Sequence, residues 1–549
     1  MPLEKIGPFQ YRRFPPTLPA LNAQGVETTE HQVLIAGAGP VGMLTALGLA
    51  RWGIASVVIE ADDSVCEGSR AACISRRSLE ILDRHGVAQA LLEKGLAWTR
   101  GRSYYGSDEI FVFDMPSSPE DKYPPMINLE QYYIEQFLLD EIGRINASTP
   151  GLIDLRWASR LTHFEQSAEG VQATVANALG EYTLQAQWLV ASDGGQSLVR
   201  QQLGLELSGV GYQGRYAIVD IELHSDYPTE RRAWFDPPWA KGSTILMHRQ
   251  PDNIWRIDFQ LAAHQNAETV LDADNVRSFV QTHLDAIGEG HLPWTPVWSS
   301  IYRAGAMTLD SYRHGRILFA GNSAHAMPIF GVRGLNSGFD DADNLIWKLA
   351  CVIQGQGADA LLDSYSQERM EAFHINAESA MRSTEFMSPP NRGFDLMREA
   401  ALSLAGRHSG IARLVNPRQT SAITYAHSAL STASTSVADQ ALLGQVLKDL
   451  KLTDERYLSD CLHRTGFTLL SFVETANEAL SSSLATPLCT VLQVPPTQLD
   501  AAAREQYAAL PGRTYLLRPD GHVCAFWNQV DAAQISAAMK QACALNSVH

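Results

Sequence analysis

The sequence predicts an α/β protein in which one strand–helix domain is interrupted by a strand-rich layer and followed by a smaller α/β unit. Three observations carry this. "HQVLIAGAGPVGMLTALGLARWG" (31–53) is a buried-strand pattern, a glycine-rich turn and a helix closed by Gly53. From Arg215 to about Ser300 the pattern changes to alternating strands, and at "GRILFAGNSAH" (315–325) the buried-strand pattern returns, so the first domain is discontinuous. A chain of 549 residues is also too long for one ordinary core.

In chain order, residues 1–28 read as an irregular, Pro-containing arm. "ASVVIEA" (55–61) is a second strand that completes a βαβ unit, and "SRRSLEILDRHGV" (75–87) is an amphipathic helix stopped at Gly86. "NLEQYYIEQFLLDEIGR" (128–144) has apolar residues at helical spacing, and "GEYTLQAQWLVASDGG" (180–195) reads as a strand pair leading into a turn. In the insert, "YAIVDIEL", "STILMH" and "IWRIDFQL" are strands, the last two joined by the hairpin-turn residues "RQPDN" (249–253). These patterns divide the chain into a first domain (29–105, 125–205 and 301–390), a β-sheet insert (106–124 and 206–300), a helical linker region (391–440) and a last domain (441–549). The linker region ends in the Ser/Thr/Ala-rich "HSALSTASTSVADQ", and the last domain closes with a strand, a Pro-Asp-Gly turn, a strand and a helix.

A composition of 45% hydrophobic and 19% charged residues is globular, and a formal net charge of −17 argues against nucleic acid or an anionic membrane surface as a partner. The seven cysteines form no CxxC pair, which speaks against zinc ribbons and dithiol redox motifs and fits a reduced cytoplasmic setting. The N-terminus lacks the apolar run of a signal peptide. Val33–Ala50 carries no charge, but its glycines and Pro40 break the helix early, so strand–turn–helix is expected there and no membrane span.

Gly37-Ala38-Gly39-Pro40-Val41-Gly42 is a GxGxxG turn between strand and helix, the Rossmann-like arrangement in which Gly37 permits the tight turn, Gly39 admits a pyrophosphate and Gly42 lets the helix approach. The phosphates would meet the free N–H groups of that helix. Glu60, followed by Ala61, ends the second strand 18 residues past Gly42, where a carboxylate holds ribose hydroxyls. This fits either NAD or the ADP half of FAD. Asp193-Gly194 sits at a strand end and reads equally as an ordinary turn with a helix cap. A third motif, "GNSAHAMPIFGVRGLNSG" (321–338), places Asn322 at a strand terminus and then a glycine-rich loop before the helix "FDDADNLIWKLACVIQG". That helix start would aim N–H groups at an anionic group above the loop, and the "FDDAD" acids are read as favouring its N-terminus rather than as a metal site.

GxGxxG, then DG, then G-(D/N)-x-A-H-x-x-P, in this order, resembles the single-component FAD-dependent aromatic hydroxylases, the p-hydroxybenzoate hydroxylase-like flavoprotein monooxygenases. "QYYIEQFL" (131–138) and "LLDSYSQER" (361–369) look like family segments, and "LLRPDGHVCAFW" (516–527) is similar to the thioredoxin-like C-terminal domain of longer members, such as phenol, 3-(3-hydroxyphenyl)propionate and aromatic polyketide hydroxylases. The resemblance implies FAD as cofactor and NADPH or NADH as transient reductant. It also implies that O₂ adds at flavin C4a and that the resulting hydroperoxide hydroxylates a phenolic or polycyclic aromatic substrate. By the same likeness Arg70 and Gln131 contact FAD, Asp193 lies along the cleft shared by FAD and NAD(P)H, Asn322 faces the ribityl chain, and Pro328, Gly331, Gly334, Leu335 and Asn336 line the isoalloxazine ring along with Gly321 at the loop start. A homodimer is expected. The other readings of the scaffold are a different flavin oxygenase (Baeyer–Villiger, epoxidase or antibiotic-inactivating) and a non-catalytic flavin-binding sensor.

Two positions depart from the family pattern, which usually has Asp where Asn322 stands and Gln or a small residue at Arg333. Asn keeps an acceptor for a ribityl hydroxyl. Arg333 either acts on the flavin or an anionic substrate, or forms a structural ion pair with Asp340. The insert should roof the flavin, with Trp234, Phe235, Trp239, Met247 and His248 as candidates for an aromatic pocket, although alternating aromatics on strands are mostly core. Pro328, Arg333 and His248 are the candidates nearest the chemistry; His248 either accepts a phenolic proton or is a hydrogen-bonded structural histidine, and His325 orients the loop. Cys524 has no partner cysteine, so a thioredoxin-like fold there carries no thioredoxin-like activity.

Overall fold

The computed structural model describes residues 3–262, 265–415, 419–432, 442–474, 488–499, 504–505, 507, 509, 511–529 and 531–545. The end of the expected linker, residues 433–440, lies outside them.

The first layer is a parallel sheet in the order Ile153–Arg156, Ser56–Ile59, Val26–Ala36, Gly180–Ala191, with Ile317–Phe319 pairing in parallel along the end of Gly180–Ala191. Ser56–Ile59 and Ile317–Phe319 are buried throughout, as strands covered on both faces must be. The expected strand pair at 180–195 is instead one 12-residue strand. Its first half alternates in burial and pairs with Val171–Asn177, and its second half is buried on both faces inside the parallel sheet, so the change of pattern marks a change of neighbours, not a turn. Helix Pro40–Arg51 lies against helices Gln131–Ser148 and Arg333–Ile353. It comes so close to the latter that a Cβ on Gly48 would sit 2.3 Å from Ile346.

The second layer is an eight-stranded sheet. Its centre is Ser208–Leu223 between Trp294–Thr308 and Ile254–Leu261, continuing through Thr244–Arg249 and Arg231–Phe235. Arg231–Phe235 then pairs in parallel with Arg100–Tyr105, which turns at Gly106 (φ +59°) into Asp108–Asp114. Residues 100–105, assigned from sequence to the first domain, therefore belong to this sheet. The "RQPDN" hairpin forms as expected, with Asp252 and Asn253 both left-handed.

Helix Ala273–Ala286 covers one face of this sheet, packing Val276, Val280 and Leu284 on Val219, Ile221, Trp234, Ile245, Met247, Trp255 and Ile257. The opposite, inner face turns toward the first layer: Tyr216, Ala233, Phe235 and Leu246 pack with Phe330 and with Met387 of helix Leu361–Met387.

At the C-terminus a four-stranded mixed sheet runs Cys489–Val494, Phe467–Phe472, Thr514–Leu517, Val523–Trp527, the first pair parallel and the others antiparallel, with helix Ala532–Ala542 against it, the thioredoxin-like arrangement expected. Among the described residues no helix is long and apolar enough to cross a membrane.

Candidate functional site

The three sequence motifs meet at the C-terminal ends of the parallel strands. Gly37 has φ +97°, and a Cβ there would lie 2.5 Å from the Ser192 carbonyl oxygen, which brings the GxGxxG turn onto the Asp193-Gly194 turn. Gly42 is as constrained: its Cβ would fall 2.0 Å from the Gly37 oxygen. Val41 reaches the third motif, touching the places where Gly321 and Gly338 would carry side chains, at 3.1 and 2.7 Å.

Several features leave room for a ligand here. At Gly39 an added Cβ would meet no protein atom within 4 Å, and helix Pro40–Arg51 begins there with no side-chain cap, so its first N–H groups face outward. The Ala38 and Asp62 N–H groups donate to Glu60 at 2.7 and 2.9 Å, fixing a half-buried carboxylate beside the turn. Burial raises its pKa against the pull of those bonds. Ala61 follows it, partly exposed. Asp193 caps the next helix through the Val199 N–H at 3.1 Å, yet its other oxygen is buried and unpartnered. An open glycine cradle, a bare helix start, a tethered acid and an orphaned carboxylate oxygen fit a dinucleotide such as FAD.

Arg70 is exposed, with its guanidinium 6.0 Å from the Trp298 ring, and Gln131 accepts from the neighbouring Ala71 N–H at 3.4 Å. Asn322 is exposed on the 3₁₀ turn Gly321–Ser323. Asp341 holds that turn in place: it accepts from the Gly321 N–H at 2.9 Å, from Arg369 at 2.6 Å and pairs with His325 at 2.7 Å. Burial pushes Asp341 up, but Arg369 and His325 outweigh it and bring its pKa down to about 2. His325 thus takes the loop-orienting place expected of it.

The helix after the loop begins at Arg333, six residues earlier than its acidic run suggests, because Gly331 (φ +86°) and Val332 (φ +54°) turn the chain through left-handed conformations. The "FDDAD" acids therefore lie beyond the first turn and act as ion-pair partners. Asp340 and Asp343 pair with Arg77 at 3.2 and 3.1 Å, and Asp343 also with Arg84. The helix start has no side-chain cap, and Gly334 has no neighbour within 4 Å. Pro328 and Gly331 are buried and Leu335 is partly buried.

Four expectations need correction. The Asn336 amide is spent inside the protein: it accepts from the Ser75 N–H and the Ser78 hydroxyl and donates to the Cys73 carbonyl, clamping the helix start to strand Cys73–Ser75 rather than offering its side chain to a ring. Arg333 does not pair with Asp340; it donates to the Asn376 carbonyl and Ser379 hydroxyl of helix Leu361–Met387, and burial lowers its pKa to about 10. Trp234, Trp239 and Met247 lie on the covered face of the second sheet, where Trp239 donates to His283 at 3.3 Å. Strand alternation leaves Phe235 and His248 on the inner face. His248 is buried, but neither ring nitrogen has a partner, so it is not a hydrogen-bonded structural histidine. Burial, aided by Arg256 and Arg231, pushes its pKa well below the usual value and keeps it neutral.

Sequence reasoning missed the polar residues beside it: Asp220, Arg231, Gln250, Arg256, Asp258 and Glu130 are all buried. Their signal was present in "IWRIDFQL", where Arg, Asp and Gln alternate with Trp, Ile and Phe although both faces are covered. A narrow cavity runs from Arg231 along Ala233, Phe235 and Leu246 to Phe330, so the third motif's loop forms one of its walls. The largest cavity, about 710 Å³, lies elsewhere, by His31, Ser56 and Ile153 near the starts of the parallel strands, and contains none of the motif residues.

The family model for the FAD binding domain matches residues 30–379. The 3-(3-hydroxy-phenyl)propionate/3-hydroxycinnamic acid hydroxylases of Escherichia coli (strain K12 / DH10B) and Shigella sonnei (strain Ss046) are each 30% identical over 369 residues, 67% of this chain. The match spans 64% of the length of those relatives. Among solved structures, the flavin-dependent monooxygenase PieE with FAD and substrate superimposes with a TM-score of 0.75 at 20% identity, covering 94% of this chain and 99% of that one. Aklavinone-11 hydroxylase with FAD and aklavinone gives 0.75 at 22%, covering 94% and 100%.

Proposed function

The chain belongs to the FAD binding domain family, and from that premise we propose that it is a monooxygenase that uses NAD(P)H and O₂ to hydroxylate a phenolic or polycyclic aromatic substrate. The observation that carries this reading is the cavity between the inner sheet face and the flavin loop, with Phe235, Leu246 and Phe330 as apolar walls and Arg231 at its polar end. FAD, when bound, supplies the acceptance of hydride from NAD(P)H and the activation of O₂. The protein's part is to bind, orient and exclude water. Glu60 and the open start of helix Pro40–Arg51 hold the nucleotide half. The uncapped start of helix Arg333–Ile353 turns its N–H groups toward negative charge on the ring. His248, neutral and with both nitrogens unspent, is placed to take a phenolic proton.

The hydroxylases among its curated relatives and the aromatic ligand of the aklavinone complex support this reading by analogy. The test is direct. Purified protein should be yellow, and phenols should stimulate NAD(P)H oxidation with a product heavier by one oxygen atom. Oxidation that yields only peroxide with every phenol tried would overturn hydroxylation while leaving FAD binding intact.

A further inference from the structure

The inner face of the second sheet carries a row of charge where a plain aromatic pocket would be apolar. Strand register sets Asp220 opposite Arg256 and Arg256 opposite His248, with Asp258 two residues along on the same face. Arg231 reaches this row from the adjoining strand, acting on both His248 and Asp258. All five side chains are buried. Arg256 donates to Asp220 at 3.2 Å and to the Arg70 carbonyl at 2.8 Å, which ties the row to the segment that carries a candidate FAD contact.

Much of the remaining hydrogen-bonding capacity is unused. Both nitrogens of His248, Nη2 of Arg256, Oδ1 of Asp258 and both amide atoms of Gln250, two residues beyond His248, are buried without a partner. Buried polar atoms are almost always paired, because a bare one forfeits its hydration. Bare donors and acceptors gathered at the polar end of a cavity are what a ligand would complete.

The charge of the row decides which ligand. Arg231 and Arg256 are balanced by Asp220 and Asp258. Burial lifts Asp258 to about 6 against the pull of Arg256, so it is ionised at neutral pH. His248 stays neutral. Glu130, whose carboxyl oxygens are also buried and unpartnered, is lifted to about 8 by burial, with Asp220 adding to it, and is protonated there. The row is therefore neutral as a whole. A carboxylate would add a buried charge that none of these residues is left to neutralise, whereas a hydroxyl or carbonyl would satisfy the bare atoms without one.

We propose, building on the hydroxylase reading above, that this chamber selects neutral aromatics bearing hydroxyl or carbonyl groups over aromatic acids, with His248, Gln250 and Asp258 as the groups that read them. This departs from the acids for which the curated relatives are named.

The experiment titrates the FAD-loaded protein with matched pairs, following the visible absorbance of the flavin and the stimulation of NAD(P)H oxidation. The pairs are 3-(3-hydroxyphenyl)propionate against its primary amide, and 3-hydroxy-2-naphthoate against 3-hydroxy-2-naphthamide. The amides should bind about tenfold or more tightly than the acids. Asp258→Asn, which removes one negative charge from the row, should shift the acid-to-amide affinity ratio about tenfold toward the acid, a gain that misfolding would not produce. Acids that bind as well as or better than their amides, or a ratio unmoved by Asp258→Asn, would overturn the selectivity and leave the hydroxylase reading standing. Failure of every aromatic to perturb the flavin or stimulate oxidation would overturn both.

Discussion

At Gly42 an added Cβ would lie 2.0 Å from the Gly37 carbonyl oxygen, whereas at Gly39 it would meet nothing within 4 Å. The same motif thus contains a glycine required by the protein and a glycine that only a ligand explains, and two substitutions separate them. Gly42→Ala should cost roughly 1–3 kcal/mol of stability by overpacking. Gly39→Ala should leave the apoprotein's melting temperature unchanged and weaken FAD about tenfold or more, read by fluorescence titration. Asn322 poses a different question. Its exposed side chain sits on a turn that Asp341 fixes from below, so replacing it leaves the loop's anchorage intact. Asn322→Asp should keep FAD bound but lower the flavin midpoint potential by adding negative charge near the reduced ring, slowing hydride transfer several-fold. An unchanged potential in the holoenzyme would show that Asn322 does not act on the ring.

The second sheet is the element on which reading the sequence went furthest astray, and the reason is parity. Alternation within "RRAWF", "STILMH" and "IWRIDFQL" fixes which residues share a face, so Trp234 and Met247 go together and so do Phe235 and His248. It does not say which face turns toward the flavin loop, because helix Ala273–Ala286 makes the outer face as apolar as any core. Bulk aromatics were the wrong guide, and the buried charges at Arg256 and Asp258 were the right one, since a strand covered on both faces keeps such groups only where something partners them. By contrast, the βαβ unit and the three motifs were legible because each depends on local backbone demands: a glycine at φ +97°, a bare helix start, an acid at a strand end. The start of helix Arg333–Ile353 was not, since Val332 adopts a left-handed conformation that a β-branched residue rarely takes. The parity assignment is testable on one strand. Met247→Ala should lose about 2–5 kcal/mol of stability and leave the affinity for aromatic ligands unchanged, because Met247 packs on the covered face. An altered affinity in the folded variant would place Met247 in the chamber after all.

Across the whole molecule, buried charge links stability to pH and joins the two ends of the chain. Glu130 has its pKa raised to about 8 in the folded protein, so between the ordinary carboxylate range and pH 8 the native state holds a proton that the unfolded chain has released. Stability should therefore fall as pH rises from about 5 to 8, and Glu130→Gln should flatten that fall by on the order of a few kcal/mol in chemical denaturation measured across the range. A second buried group binds the C-terminal sheet to the flavin helix. Arg518 donates to Glu368 at 2.6 and 2.9 Å, and Lys348 of helix Arg333–Ile353 donates to the same carboxylate at 2.7 Å. The Trp347 indole N–H from that helix reaches Asp520 at 3.0 Å. Because that helix also begins at the flavin loop, this network makes the C-terminal unit part of the site's foundation, a use that needs no redox cysteine and fits the buried, unpaired Cys524. Glu368→Gln would leave Arg518 and Lys348 facing each other with one carboxylate fewer, a loss of about 3–5 kcal/mol. If the C-terminal unit supports the flavin helix, FAD release and global unfolding in this variant should move to lower temperature together in one transition, followed by flavin fluorescence and circular dichroism. Two separate transitions, with FAD release unmoved, would mean that the C-terminal sheet merely rests on the helix and does not hold it.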